Sequence, residues 1–304
     1  MVGAGGWLGL ATVELLHRLL GERFTTQVVC FGSRARPLVL RDGLIVEQHA
    51  LEALGDLPRM PTIVLHLAFL TQEKANEMSH DDYVEANRAI SSAVLGALDR
   101  IGAEKVFLPS SGAVNAVGRP SASAALRLYA QLKLQDEKSI EAWARERGGA
   151  AVIARVFNLS GPYINKQTTY ALACFVADAL AGRAIAIRST RRVYRSYVAI
   201  SELMSVVIGA LTEDVAGAIR FDTAGEFVYE MADIAEIVRS VINGDLGVER
   251  PTLLNEDPDY YVGDGEVYAG LRRALGVEAV GFRAQVLETA RFMSATTNQQ
   301  DCPV

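Results

Sequence analysis

The sequence predicts an α/β fold, a doubly wound parallel sheet with a smaller C-terminal lobe. Three observations lead there. The opening stretch "MVGAGGWLGLATVELLHRLL" sets Gly3, Gly6 and Gly9 at the mouth of a helical pattern. Short β-branched runs then alternate with helical patterns through the first half, as in βαβ units. At 304 residues, half of them hydrophobic, the chain can bury a core large enough for a sheet covered on both faces.

Each element has its own local signal. Strands are expected at 27–31, 45–48, 62–67, 105–108 and 151–157, where apolar runs are too short for helices. "GWLGLATVELLHRLL", "DYVEANRAISSAVLGALDRIG" and "LRLYAQLKLQDEKSIEAWARERG" carry apolar residues at helical spacing, the second closed by Gly102 as a C-cap. Beyond Gly161-Pro162 the pattern loosens, with further strands at 193–200 and in "AGAIRFDTAG". The expected division is a domain over 1–160, to which 193–226 returns, and a lobe formed by 161–192 and 227–304. One strand is conspicuous by its absence. A glycine loop of this kind follows a central strand, yet only Met1 and Val2 precede Gly3. Either a first strand is missing upstream, or Met1 and Val2 form a stub that neighbouring strands complete.

Charge and composition narrow the function. A formal net charge of -6 and scattered basic residues give no general attraction for nucleic acid, apart from a short basic stretch at 188–195. Apolar runs are too short or too charged to span a bilayer. Cys30, Cys174 and Cys302 share no metal-ligand spacing and fit a reducing compartment, so the cytoplasm is expected and no metal site is.

The glycines let the backbone turn and approach a pyrophosphate at a helix N-terminus, which supplies N–H groups and partial positive charge. The next strand, "QVVCF", runs into "GSRAR". A carboxylate commonly holds the ribose 2′-hydroxyl of NAD there; Ser33, Arg34 and Arg36 instead suit a 2′-phosphate, which argues for NADP(H) with NAD as the lesser partner. A solvated basic loop is the bland alternative. Tyr129 and Lys133 are four residues apart on one helical face, and an ammonium beside a phenol favours the phenolate. Ser111, after "KVFLPS", can hydrogen-bond the same substrate oxygen. Taken alone, the Tyr129–Lys133 spacing also fits an amphipathic surface pair.

The order of the parts decides between these readings. Glycine loop, "HLAF", Asn87 in the following helix, "PSSGAV", the tyrosine and lysine, then "RVFNLSGP", "YRSYVAISEL", "RFDTAGE" and "YYVGDGEVYAGLRRALG" together resemble the extended short-chain dehydrogenase/reductase family. Within it the chain is similar to the NAD(P)-dependent nucleotide-sugar epimerase, dehydratase and ketoreductase group, enzymes with a Rossmann-like domain and a substrate-binding lobe. The resemblance implies that Ser111, Tyr129 and Lys133 are catalytic, Tyr129 as the acid/base and Lys133 also holding the nicotinamide ribose. It implies that Ala68 lines the cofactor, that Asn87 and Asn158 serve the nucleotide sugar, and that Arg195 pairs with the diphosphate. It also permits a homodimer through the helices carrying Asn87 and Tyr129; Ile90, Val94, Leu126 and Leu134 fit such a bundle or the intramolecular core.

Gly112 and Ala113 stand where dehydratases of the group carry an acidic pair, which argues against elimination of water. Because Ser33 and Arg34 argue for NADP(H), and a reductase consumes NADPH, reduction of a 4-keto-6-deoxy nucleotide sugar is expected first. A 4-epimerase with tightly held NAD comes second, and a non-catalytic dinucleotide-binding regulator third. The short span from Ser111 to Tyr129, Asn115 where a tyrosine is common, and "EQHALEAL" without an aspartate depart from the group. His49 is expected at the surface and His66 in the core.

Overall fold

A computed structural model describes residues 1–213 and 217–300, so Cys302 and Ala216 lie outside the described residues. The chain divides into two compact units, Met1–Val156 with Met204–Asp222, and Phe157–Leu203 with Thr223–Val304. The segment returning to the first unit is thus shorter than 193–226, and the strand Arg191–Arg195 belongs to the second unit.

In the first unit, strands Gly217–Asp222, Ala150–Val156, Ala103–Ser111 and Thr62–Leu65 lie side by side, all parallel. Cys30–Gly32 pairs in parallel with Ile45–Ala50, whose other edge takes Arg36–Val39 antiparallel. Met1 and Val2 run between these two sets. Val2 bridges both Phe31 and His66; its N–H donates to the Leu65 carbonyl at 2.8 Å, and the Leu67 N–H donates to its carbonyl at 2.8 Å. On the other side the Phe31 N–H donates to the Met1 carbonyl, also at 2.8 Å. These bonds pair the part of each facing strand edge that lies beside Met1 and Val2. Val2, Phe31, Val64, Val106, Leu108, Ala151 and Ile153 join one buried cluster with Val94, Leu98 and Ile101 from the helix His80–Ile101. Val94 is thus intramolecular core.

The three helices expected in the first unit follow their local signals. Trp7–Leu20 begins after Gly6; His80–Ile101 is capped by Ser79, whose Oγ accepts from the Asp82 N–H, and closed by Gly102 in the left-handed region; Ala124–Arg147 is capped by Ser123 and closed by Gly148. Among the described residues no helix is long and apolar enough to cross a membrane.

In the second unit, helices Ala171–Leu180, Met231–Ile242 and Phe282–Gln300 pack on one another. A small sheet orders Tyr229–Glu230, Arg191–Arg195 and Asn255–Tyr261. The single strand expected over 193–200 is two strands, Arg191–Arg195 and Val198–Ala199, with a helix starting at Ile200. Its break has a cause: the Ser196 carbonyl accepts from the Asn158 amide and the Tyr197 carbonyl from the Gln285 amide, so side chains replace a ladder there.

Candidate active site

The parallel strands of the first unit bring their C-terminal ends together, where open α/β sheets bind ligands. Gly3 follows Val2 there with φ of 87°, and a Cβ on it would lie 2.5 Å from the Ala68 nitrogen, so only glycine fits. A Cβ on Gly9 would meet the Gly3 carbonyl oxygen at 2.3 Å. Gly6 differs: its nearest neighbour would be 3.6 Å away, so the space beside it is open on the protein side. It also caps Trp7–Leu20 without a side chain, leaving the helix N-terminus open to an anion. This cradle fits a dinucleotide pyrophosphate, and Ala68 lies against it.

At the end of Cys30–Gly32 the Gln48 amide fills the space that a side chain on Gly32 would take. A Cβ on Gly32 would sit 2.3 Å from the Gln48 amide. Gln48 is buried, its Nε2 donates to the Arg34 carbonyl at 2.8 Å, and its Oε1 has no hydrogen-bond partner among the described residues. A buried acceptor left unpaired costs about 1–3 kcal/mol. Ser33, Arg34 and Arg36 are exposed, and Arg36 opens the strand Arg36–Val39 instead of lying in a loop.

The tyrosine and lysine project from Ala124–Arg147. Lys133 is buried; its Nζ donates to the Pro109 carbonyl at 2.9 Å and stands 3.8 Å from the centre of the Phe69 ring. Burial pulls its pKa down to about 8, resisted by the carboxylates of Asp136 and Glu137. Tyr129 meets the same ring edge to face at 5.7 Å, so Phe69 touches both members of the pair. Ser111, at the end of Ala103–Ser111, accepts from the Ala113 N–H at 3.1 Å and caps the short turn Gly112–Ala116.

Glu137 holds this arrangement in register. Fully buried, it accepts from Ser110 Oγ at 2.5 Å and takes a bidentate contact from Arg155 at 2.8 and 2.7 Å, tying the Tyr129 helix to two neighbouring strands. Asn87, expected to serve the substrate, spends its amide inside the protein: Oδ1 accepts from the Leu70 N–H at 2.8 Å and Nδ2 donates to the Tyr83 carbonyl. With the Tyr83 hydroxyl on the Leu70 carbonyl at 2.6 Å, it pins the loop carrying Ala68 and Phe69. His66 is buried with neither ring nitrogen hydrogen-bonded among the described residues, and burial with the Lys133 charge drives its pKa to about 3. His49 is exposed.

In the second unit Asn158 and Arg195 meet around Tyr261. The Asn158 amide donates to the carbonyls of Ser196 at 3.1 Å and Tyr261 at 3.2 Å, while the Arg195 guanidinium stands 5.6 Å from the Tyr261 ring and pairs with Asp259 at 2.7 Å. An anion at Arg195 would compete with that carboxylate.

Gln48, Phe69, Glu137 and Tyr261 are the residues that sequence reasoning missed. Phe69, an aromatic beside the alanine singled out in "HLAF", and Tyr261, in "YYVGDGEVYAGLRRALG", lay within motifs already singled out. Among the described residues no cluster of His, Cys, Asp and Glu could hold a metal ion.

Solved structures share this fold. A UDP-N-acetylglucosamine 4-epimerase from Methanobrevibacter ruminantium M1, in complex with UDP-N-acetylmuramic acid, superposes with a TM-score of 0.76 at 18% identity over 97% of each chain. A UDP-glucose 4-epimerase from Thermus thermophilus, in complex with NAD, gives 0.71 at 19% identity over 96% of this chain and 97% of its own. UDP-glucuronic acid decarboxylase 5 of Arabidopsis thaliana is 28% identical over 114 residues, which are 38% of this chain. The match spans 33% of that relative's length. Residues 1–221, the glycine cradle and the tyrosine helix included, match the NAD dependent epimerase/dehydratase family. The chain belongs to that family.

Proposed function

We propose that this protein catalyses the NADP(H)-dependent reduction of a 4-keto-6-deoxy nucleotide sugar. The observation that carries the reading is the filled space over Gly32, where the Gln48 amide lies in place of a carboxylate and arginines follow. Without that negative charge a 2′-phosphate meets no repulsion, and guanidinium groups attract it. The family match supports a dinucleotide and a sugar nucleotide, as do relatives whose names specify UDP-sugars.

When bound, the reduced nicotinamide supplies the hydride. Tyr129 gives its phenolic proton to the sugar oxygen as that oxygen gains charge, and the buried Lys133 ammonium favours the phenolate left behind. Ser111 Oγ already accepts from the Ala113 N–H, so its own proton serves as a donor to the same oxygen. Phe69 keeps the ammonium face-on to an aromatic ring, which favours its charged form. Gly112 and Ala113 offer no second acid or base, so elimination has no proton carrier at those positions.

A second reading, 4-epimerisation with retained NAD, is favoured by the 4-epimerase likeness, which includes a complex with NAD. Denaturing the purified chain and identifying released cofactor separates the two: stoichiometric NAD supports the epimerase. Oxidation of added NADPH in the presence of a 4-keto-6-deoxy nucleotide sugar, abolished in Tyr129→Phe with NADPH binding kept, supports the reductase. No NADPH oxidation with any such sugar would overturn it.

A further inference from the structure

The loop residues Ser33 and Arg34 are the obvious candidates to read the adenosine ribose, but the geometry points past them. The antiparallel register sets Arg36 directly opposite Gln48. Both converge on the glycine cradle: a Cβ on Gly5 would lie 2.6 Å from Arg36 Nη2 and 3.1 Å from Gln48 Oε1. The amide orientation of Gln48 is fixed, because Nε2 is committed to the Arg34 carbonyl. Oε1 therefore faces the loop as an acceptor with no protein partner among the described residues, on a side chain of a residue that is 3% exposed. Arg36 has no carboxylate partner among the described residues either, so its charge is available to an anion.

We propose that Gln48 and Arg36 together form the cofactor-specificity site, Gln48 Oε1 accepting a hydrogen bond from a ribose hydroxyl and the Arg36 guanidinium pairing with the 2′-phosphate. This rests on the reading that the glycine loop holds a dinucleotide. The division of labour follows from the chemistry. A carboxylate at this place would accept from both ribose hydroxyls and repel a phosphate, whereas a neutral amide oxygen accepts from one hydroxyl without repelling the neighbouring dianion. Gln48 comes from Ile45–Ala50, not from the end of Cys30–Gly32, so the reading group has moved to the adjacent strand and glycine at position 32 is what makes room for it. Arg34 contributes its backbone carbonyl, which aims the amide.

Calorimetric titration of the full chain with adenosine 2′,5′-bisphosphate and with 5′-AMP tests the site without turnover, and fluorescence titration with NADPH and NADH repeats the test on whole cofactors. The wild-type chain is expected to prefer the 2′-phosphorylated member of each pair by tenfold or more. Arg36→Ala should remove most of that preference by weakening the phosphorylated ligand alone. Gln48→Glu should reverse it, gaining NADH and losing NADPH. Arg36 is exposed, so its variant carries the test even where Gln48→Glu fails to fold. If the wild type binds none of the four ligands, the dinucleotide reading itself falls and the site with it. Should it prefer the phosphorylated ligands while Arg36→Ala leaves the ratio unchanged, or should Arg34→Ala remove the preference instead, the proposal alone is overturned.

Discussion

Replacing Lys133 by Met should stabilise the fold while removing the ammonium on which the proposed chemistry depends, and the effect has a pH signature. Lys133 is 5% exposed, and its pKa falls from 10.5 to about 8, chiefly through burial. That drop is worth about 3 kcal/mol against the charged form. The sign follows from proton counts. Below pH 8 both folded and unfolded states hold the proton and the full cost of burying charge is present. Between pH 8 and 10.5 the folded state releases its proton while the unfolded chain keeps it, so wild-type stability rises with pH relative to Lys133→Met. The relative gain should reach about 2.5 kcal/mol by pH 10, which at a urea slope of about 2 kcal/mol per molar moves the midpoint by roughly 1 M. Urea melts of both proteins from pH 7 to 10 read it directly, since titrating groups that do not interact with Lys133 cancel in the difference. Parallel profiles would refute the argument, because a lysine that is solvated, or that keeps its ordinary pKa, has nothing to release.

Four further substitutions separate the parts of the site. Gly6→Ala should leave stability within about 0.5 kcal/mol, because its Cβ has room, yet weaken dinucleotide binding at least tenfold; Gly9→Ala, whose Cβ meets a carbonyl oxygen at 2.3 Å, should lose about 1–3 kcal/mol of stability as well. Thermal melts with cofactor titrations distinguish them. Phe69→Leu removes the ring 3.8 Å from Lys133 Nζ, so the Lys133 pKa should fall below 8 and the alkaline limb of the rate profile should move down by about half a pH unit to one unit. Glu137→Gln removes the buried carboxylate that holds the Arg155 guanidinium bidentately and should cost about 3 kcal/mol in urea unfolding, with Ser111 and Tyr129 losing their common register.

Why some of this was legible in the sequence and some was not is a matter of range. The helices His80–Ile101 and Ala124–Arg147 announce themselves through caps and periodicity that lie within the segments. Tyr129 and Lys133 are legible for the same reason, since helical spacing alone puts them on one face. The strand Arg36–Val39 was hidden because it contains Pro37, which reads as a breaker; proline is tolerated here because the strand is an edge and pairs on one side only. Gln48 over Gly32, Phe69 under Lys133 and Glu137 between two strands are contacts made by residues far apart in the chain. No local pattern specifies them. Even the short sheet segment at Val2 became intelligible only from its partners, Phe31 and His66, which lie 29 and 64 residues on.

His66 supplies the last test of the proton assignment. It is buried beside the Lys133 charge, and a pKa of about 3 keeps its imidazole neutral throughout the range in which the protein is folded and active. A neutral imidazole with a pKa that low cannot accept a proton at pH 7 at any useful population, so His66 does not compete for the acid/base role proposed for Tyr129. The rate profile should therefore show no acidic limb from His66 between pH 5 and 8, and His66→Gln, which keeps a neutral polar group in place, should leave the profile's shape intact while altering stability. An acidic limb near pH 6.5 in the wild type that vanishes in His66→Gln would show that the imidazole does titrate in the working enzyme, and the assignment of the proton to Tyr129 alone would have to be abandoned.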